Sequence, residues 1–295
     1  MGIMHTVDRH LTAGLTRMQR AYDAILSERG AAIDRYNIKK TALDEEWQAE
    51  LEPIMRDLYW HPFRNGLDEA PTGKRELRQW LKRKYSDDAA VIAILLLLLQ
   101  RYHRRAANLG GQTALDMLDI DGAFNLTNAD YLQVMIERAE MLTTQGSEQS
   151  LIDTTIDDLT EAVTEARKVE TGILLALSAY IATRAAQRTV LIERYERPWA
   201  VNNALQWTQQ HNGIQYHMYD VNGVGCVKIC AEWHGRVFPL GGAPVRIPQH
   251  SGCDCVWSAV RYDGQVVGIP AVTVSVPGLP PWQPPALPWT GGTNP

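Results

Sequence analysis

The sequence predicts an α+β protein: a large helical N-terminal body, then a small β-rich Cys/His module and an extended Pro-rich tail. Three observations carry this. Apolar residues recur at three- and four-residue spacing over most of the chain before Asn212, the period of an amphipathic helix. All four cysteines fall between positions 226 and 255, and Pro and Gly dominate from Pro277 to Pro295.

At 295 residues the chain exceeds the usual single-domain size, so two folding units are expected. A hydrophobic share of 45% with 21% charged residues suffices for a large core. The net charge of −5 argues against a protein that coats nucleic acid along its whole surface, though a local basic face stays compatible with it. The start, MGIMHTVDRH, lacks a secretory pattern; Gly2 formally fits a myristoylation pattern but has no basic patch beside it. The longest apolar runs, Ala89 to Leu99 and Ile173 to Ala182, fall short of the roughly 20 residues a bilayer needs. Both read as buried core helices, and no membrane partner is expected.

Element by element, Leu11, Leu15, Met18, Tyr22 and Ile25 share one helical face, Gly30 ends that helix, and a second runs through Trp47 to Leu51. The stretch from Pro53 to Gly73, with Pro62, Gly66 and Pro71, reads as a connection. Lys74 to Lys84 is an amphipathic helix in which Arg75, Arg78 and Lys82 share a face while Leu77, Trp80 and Leu81 face elsewhere. Its basic residues, Lys74, Arg75, Arg78, Lys82, Arg83 and Lys84, form either a solvated face or a contact for DNA phosphates or an acidic partner. Ser86, Asp87 and Asp88 supply a cap and an acidic first turn to the Leu-rich helix. That helix ends with Arg101, Arg104 and Arg105 in its last turns and Gly110-Gly111 beyond. Apolar all round in its middle, it belongs at the centre of the body.

Asn125-Leu126-Thr127-Asn128 opens a helix through Met141. Thr154 and Thr155, followed by Asp157 and Asp158, resemble overlapping capping boxes for a helix through Lys168. A further helix, about 170–196, stops at Pro198, and another runs from Trp199 to Gln210. After Asn212-Gly213 the period changes: Ile214 to Asp220 alternates as a strand, and Val256 to Tyr262 and Gln265 to Val276 flank the hairpin turn Asp263-Gly264. The tail, with Trp282 and Trp289, has no core of its own. There is no internal repeat.

The cysteine spacing is Cys226-x3-Cys230, a loop, then His250-x2-Cys253-x-Cys255. Two short ligand pairs separated by a loop can surround a structural zinc ion, which takes four thiolate or imidazole ligands in a tetrahedron. Metal binding then serves as folding energy for a module too small to bury much core. Five candidates compete for four positions, with Cys226, Cys230 and Cys253 the firmest and His250 or Cys255 the fourth. The alternative is a pair of disulfides, or buried thiols. Local clustering favours a metal in a reducing compartment. His211, His217 and His234 lie nearby but in no recognisable nucleophile motif, and an HNH-type nuclease needs a different His/Asn arrangement.

The run Cys230-Ala-Glu-Trp-His-Gly235-Arg-Val-Phe-Pro239, then His250-Ser-Gly-Cys253-Asp-Cys255, resembles the C-terminal motif of the Mu F-type minor head proteins of tailed phages. That family reads approximately C-x-x-C-x-x-x-D-G-K-V-F, followed by H-P-x-C-R-C. Upstream, Phe124 to Asn128, the helix start at Asp153-Thr-Thr155, Arg184 to Thr189 and Asn202/Asn203 follow the family's order. The first cysteine stands one residue early, His234 replaces Asp, Ser251-Gly252 replaces Pro-Asn, and Asp254 replaces Arg. The resemblance covers about 120–262. It does not account for residues 1–119 or the tail; together with the change of pattern near residue 212 it gives an N-terminal helical region 1–119 with the central Leu-rich helix, the helical part of the minor-head-protein domain 120–212, the β-rich Cys/His module 213–276 and the extended tail 277–295. It implies a non-enzymatic virion protein inside the capsid near the portal, made in the host cytoplasm, that assists head assembly and DNA packaging or ejection. Portal protein, major capsid protein and packaged genomic DNA are the implied partners, and structural zinc the implied cofactor. Two other readings compete: a metal-dependent nuclease or other phage-encoded enzyme, and a regulator that binds nucleic acid through a zinc module. The scarcity of basic residues in the module (Lys228, Arg236, Arg246) argues against the last.

Overall fold

A computed structural model describes residues 32, 34–87, 89–126, 129–147, 149–168, 172–221, 228–250 and 252–260. The expected first helix with Gly2 and Gly30, the ligand Cys226, the hairpin turn, the strand after it and the Pro-rich tail lie outside the described residues.

Helix α1 spans 34–60 and buries Tyr36, Leu43, Trp47, Leu51, Met55, Leu58 and Tyr59, a stripe at three-, four- and seven-residue spacing. The expected break at Pro53 does not occur. The stripe continues through Met55 and Tyr59 into the core, and that burial outweighs the hydrogen bond the proline removes. The connection is therefore shorter: a 3-10 turn at His61–Phe63, then a loop to Gly73.

Helix α2, Lys74–Asp87, buries Leu77, Trp80, Leu81 and Tyr85. Ser86 lies in its last turn and donates to the Lys82 carbonyl, 3.0 Å away. Hence Ser86 is not the cap of the next helix, whose N-cap Ala89 makes no side-chain capping bond.

Helix α3, Ala90–Met117, runs straight through Gly110-Gly111. These glycines do not end the helix; they let it touch its neighbours. A Cβ at Gly110 would lie 2.8 Å from the Val201 carbonyl carbon, and one at Gly111 would strike the Phe124 ring. The Leu-rich segment is also not buried all round: Leu95 and Leu99 are fully buried, whereas Ile94 and Leu97 are 51% and 66% exposed.

Helix α4, Ala129–Thr143, leads to α5, Leu151–Ala166. The α5 cap is Ser150, whose hydroxyl accepts from the Asp153 amide at 3.1 Å. Thr154 and Thr155 were expected to fill that role, but their hydroxyls donate back to the Ser150 and Leu151 carbonyls inside the first turn.

The long helix α6 is continuous from Ile173 to His211, with Pro198 inside it. The expectation of two helices fails because Pro198 and its neighbours Ala200, Val201, Ala204 and Leu205 are buried against α3; the α3–α6 contact is the largest in the body.

Beyond α6, a three-stranded antiparallel sheet forms in the order β2-β1-β3 from β1 (Tyr216–Asp220), β2 (Val237–Pro239) and β3 (Val256–Val260). A short helix α7, Lys228–Ala231, lies between β1 and β2. Tyr216 pairs with Pro239 on one side and Val260 on the other. Alternation along β3 sends Val256 into the helical core and Trp257 into a second cluster with Tyr219, Cys230, Ile247, Cys253 and Cys255. The sheet is thus the wall between body and cysteine cluster. Among the described residues no helix is long and apolar enough to cross a membrane.

Candidate metal centre

Cys230 sits on α7, while His250, Cys253 and Cys255 sit on the loop entering β3. The His250-x2-Cys253 spacing is one tight turn: the Cys253 amide donates to the His250 carbonyl at 3.1 Å. Gly252 takes φ +78° there, a left-handed conformation that glycine adopts without strain.

The turn brings the ligands together. The sulfurs of Cys230, Cys253 and Cys255 lie within 4.8 Å of one another, and all three residues are fully buried. Cys230 Sγ is 3.9 Å from Cys253 Sγ and 3.1 Å from His250 Nε2. Two thiolates sharing a tetrahedral zinc at about 2.3 Å each stand about 3.8 Å apart, so the donor set fits such an ion. Among the described residues the three thiols form no disulfide. The Cys253 thiol is lowered to about 5, chiefly by its hydrogen bond with Cys255 and against the effect of burial, which favours the thiolate a metal requires. Tyr219 and Trp257 close the site from the sheet side, Tyr219 OH lying 4.0 Å from Cys253 Sγ and accepting from Gln249 Nε2 at 2.9 Å. Bound there, zinc would cross-link α7 to the β3 loop.

The other histidines are elsewhere engaged. His234 Nδ1 accepts from the Val221 amide at 3.1 Å and lies 3.6 Å from Asp220. His211 stacks on Trp207, and His217 stacks on Trp257 at 3.8 and 4.0 Å between ring centroids, respectively. The basic helix α2 has found an acidic partner within the chain. Lys74, Arg78 and Lys82 pair with Glu161, Asp157 and Asp153, one four-residue row of α5, and Lys84 pairs with Glu69. Arg75 and Arg83 are exposed and form no ion pair among the described residues.

The residues that seat the module on the body escaped the sequence reading. Asp254, between two ligands, turns away from the centre: its carboxylate pairs with Arg197 of α6 and, at 2.8 Å, with Lys40 of α1. Arg197 is buried and also pairs with Asp44 and, at 2.8 Å, with Glu193. Asn202 donates to the Cys255 carbonyl at 3.1 Å and accepts from the Trp257 amide at 3.0 Å. Gln209 donates to the Trp257 carbonyl at 2.8 Å. Next to Arg197 in the chain, Glu196 is held by Arg138 at 2.6 and 2.9 Å and lies 3.1 Å from His103 Nε2. Burial alone would raise the Glu196 carboxyl, but these hydrogen bonds hold it below its ordinary range. The available signal was the charged run Glu193-Arg-Tyr-Glu-Arg197 directly before a proline.

No family model, no curated protein and no solved structure matches the chain.

Proposed function

We propose that the chain is a structural minor head protein of a tailed phage, a docking component near the portal whose Cys/His centre is a zinc staple and not a site of catalysis. The observation that carries this is the cluster of buried Cys230, Cys253 and Cys255, with His250 Nε2 3.1 Å from the Cys230 sulfur, from the two halves of the motif that resembles the Mu F-type proteins. A buried, fully thiol- and imidazole-lined site walled by aromatic rings suits a closed structural ion, since a catalytic zinc keeps an open position for water or substrate.

In this reading the helical body presents the surface for portal or capsid protein. Packaged DNA would meet Arg75 and Arg83, because the other basic residues of α2 are neutralised by α5 or Glu69. The test is the composition of particles from the phage that carries this gene. Peptides of the chain are expected in both procapsids and virions at a few copies per portal, and tagged protein is expected to retain portal protein on affinity purification. Absence from both particle types overturns the proposal.

A further inference from the structure

The loop that carries His250, Cys253 and Cys255 is the same loop that seats the module on the helical body, through Gly252, Asp254 and the Cys255 backbone. Gly252 donates its amide to the Arg194 carbonyl at 3.2 Å. That carbonyl is available for a physical reason: its helical donor would be the amide of residue 198, and Pro198 has none. Cys253 faces the centre. Asp254 faces back and neutralises Arg197 and Lys40. Cys255 faces the centre while its carbonyl is held by Asn202, and the next amide but one, of Trp257, is held by the same Asn202 side chain. Outward anchors and inward ligands alternate over 252–255, and the backbone of Trp257 adds a further anchor.

We propose that Pro198, Arg197 and Asn202 of α6, acting through Gly252, Asp254 and the Cys255 backbone, are the outer-shell positioning residues of the metal centre, and that metal occupancy and docking of the module are one linked equilibrium. This rests on the metal reading of the preceding section. The loop's backbone conformation satisfies both sides at once. An ion holding Cys253 and Cys255 fixes Asp254 against Arg197; Arg197 in turn holds the Cys-x-Cys limb ready for the ion. Linkage makes the effect reciprocal. Loss of the ion therefore loosens the outward contacts, leaving Arg197, with a side chain only 3% exposed, short of one of its three carboxylates. The module becomes a metal-dependent clasp on α6.

The experiment uses the full-length protein. Zinc affinity is measured by competition with a chromogenic chelator for the natural chain, Asp254→Asn, Asn202→Asp and, as a remote control, Asp157→Asn on α5. Backbone hydrogen exchange of the natural chain is followed with zinc bound and after chelation. Asp254→Asn and Asn202→Asp are expected to weaken zinc by about 10–100-fold with helical circular dichroism preserved, and Asp157→Asn to leave it unchanged. Chelation is expected to speed exchange at the Gly252 and Trp257 amides selectively. If the natural chain binds zinc but both variants bind it equally well, or chelation leaves those two amides as protected as before, the coupling is wrong and the metal reading stands. If the natural chain binds no zinc, both fall. Should the variants unfold, the exchange measurement on the natural chain decides alone.

Discussion

His217 gives the sharpest test of how the module is held together. It lies on β1, is fully buried, and among the described residues neither ring nitrogen has a hydrogen-bond partner; its ring stacks nearly parallel on Trp257, 9° between planes. Burial lowers it from 6.5 to about 3, because an imidazolium there would be a desolvated, unpaired charge. The unfolded chain takes up a proton below pH 6.5 while the folded chain stays neutral down to about pH 3. The unfolded state thus binds more protons in that window, and stability is lost as pH falls through it. At pH 5 the loss from this one residue is about 2 kcal/mol, and at pH 7.5 close to zero. His217→Phe removes the titration and keeps the stack. Urea unfolding of the natural chain and the variant at pH 7.5 and pH 5, followed by tryptophan fluorescence, isolates the effect as a difference of differences, since all other groups are common to both. The variant is expected to gain about 2 kcal/mol relative to the natural chain between the two pH values, whatever its stability at pH 7.5. An equal loss in both proteins would refute the reasoning and mean that the folded chain protonates His217 as readily as the unfolded one.

Three further outcomes follow from the body. Gly110→Ala drives a methyl into the Val201 backbone and is expected to destabilise by about 1–3 kcal/mol or more, read by urea unfolding; a neutral result would mean that α3 and α6 can separate freely. Glu196→Leu leaves Arg138 buried without its carboxylate and is expected to cost about 3–5 kcal/mol in the same assay. Arg78 and Asp157 are both more than 40% exposed, so a double-mutant cycle on this pair is expected to give only about 0.2–1 kcal/mol, falling toward zero in about 1 M salt.

Periodic, local features were readable from the sequence, and features that depend on what lies opposite were not. The buried stripe of α1, the Leu77/Trp80/Leu81 face of α2 and the strand at Tyr216–Asp220 announce themselves because each follows from the spacing of its own side chains. Pro53, Gly110-Gly111 and Pro198 are strong local breakers, and each was expected to end a helix. All three lie inside one, because burial on a long neighbouring helix outweighs one missing hydrogen bond or a less rigid backbone. In the centre, Cys230, His250, Cys253 and Cys255 were legible from residue type and spacing. Asp254, Arg197 and Asn202 were not, since nothing in a sequence tells a carboxylate between two cysteines that an arginine 57 residues earlier faces it. The basic α2 face shows the same limit from the other side: its partner is the Asp153/Asp157/Glu161 row of α5, visible only once the two helices are laid together.

Pro198 also sets the order in which this protein can be finished. A ribosome delivers α6 more than forty residues before it delivers Gly252. Throughout that interval the helix carries an open acceptor at Arg194 and a buried arginine lacking one of its anions. The helical body is consequently an unfinished object until Gly252 and Asp254 have emerged. Its sequence boundary near residue 212 marks a change in composition, and a chain cut there would keep its helices yet lack the piece that closes them.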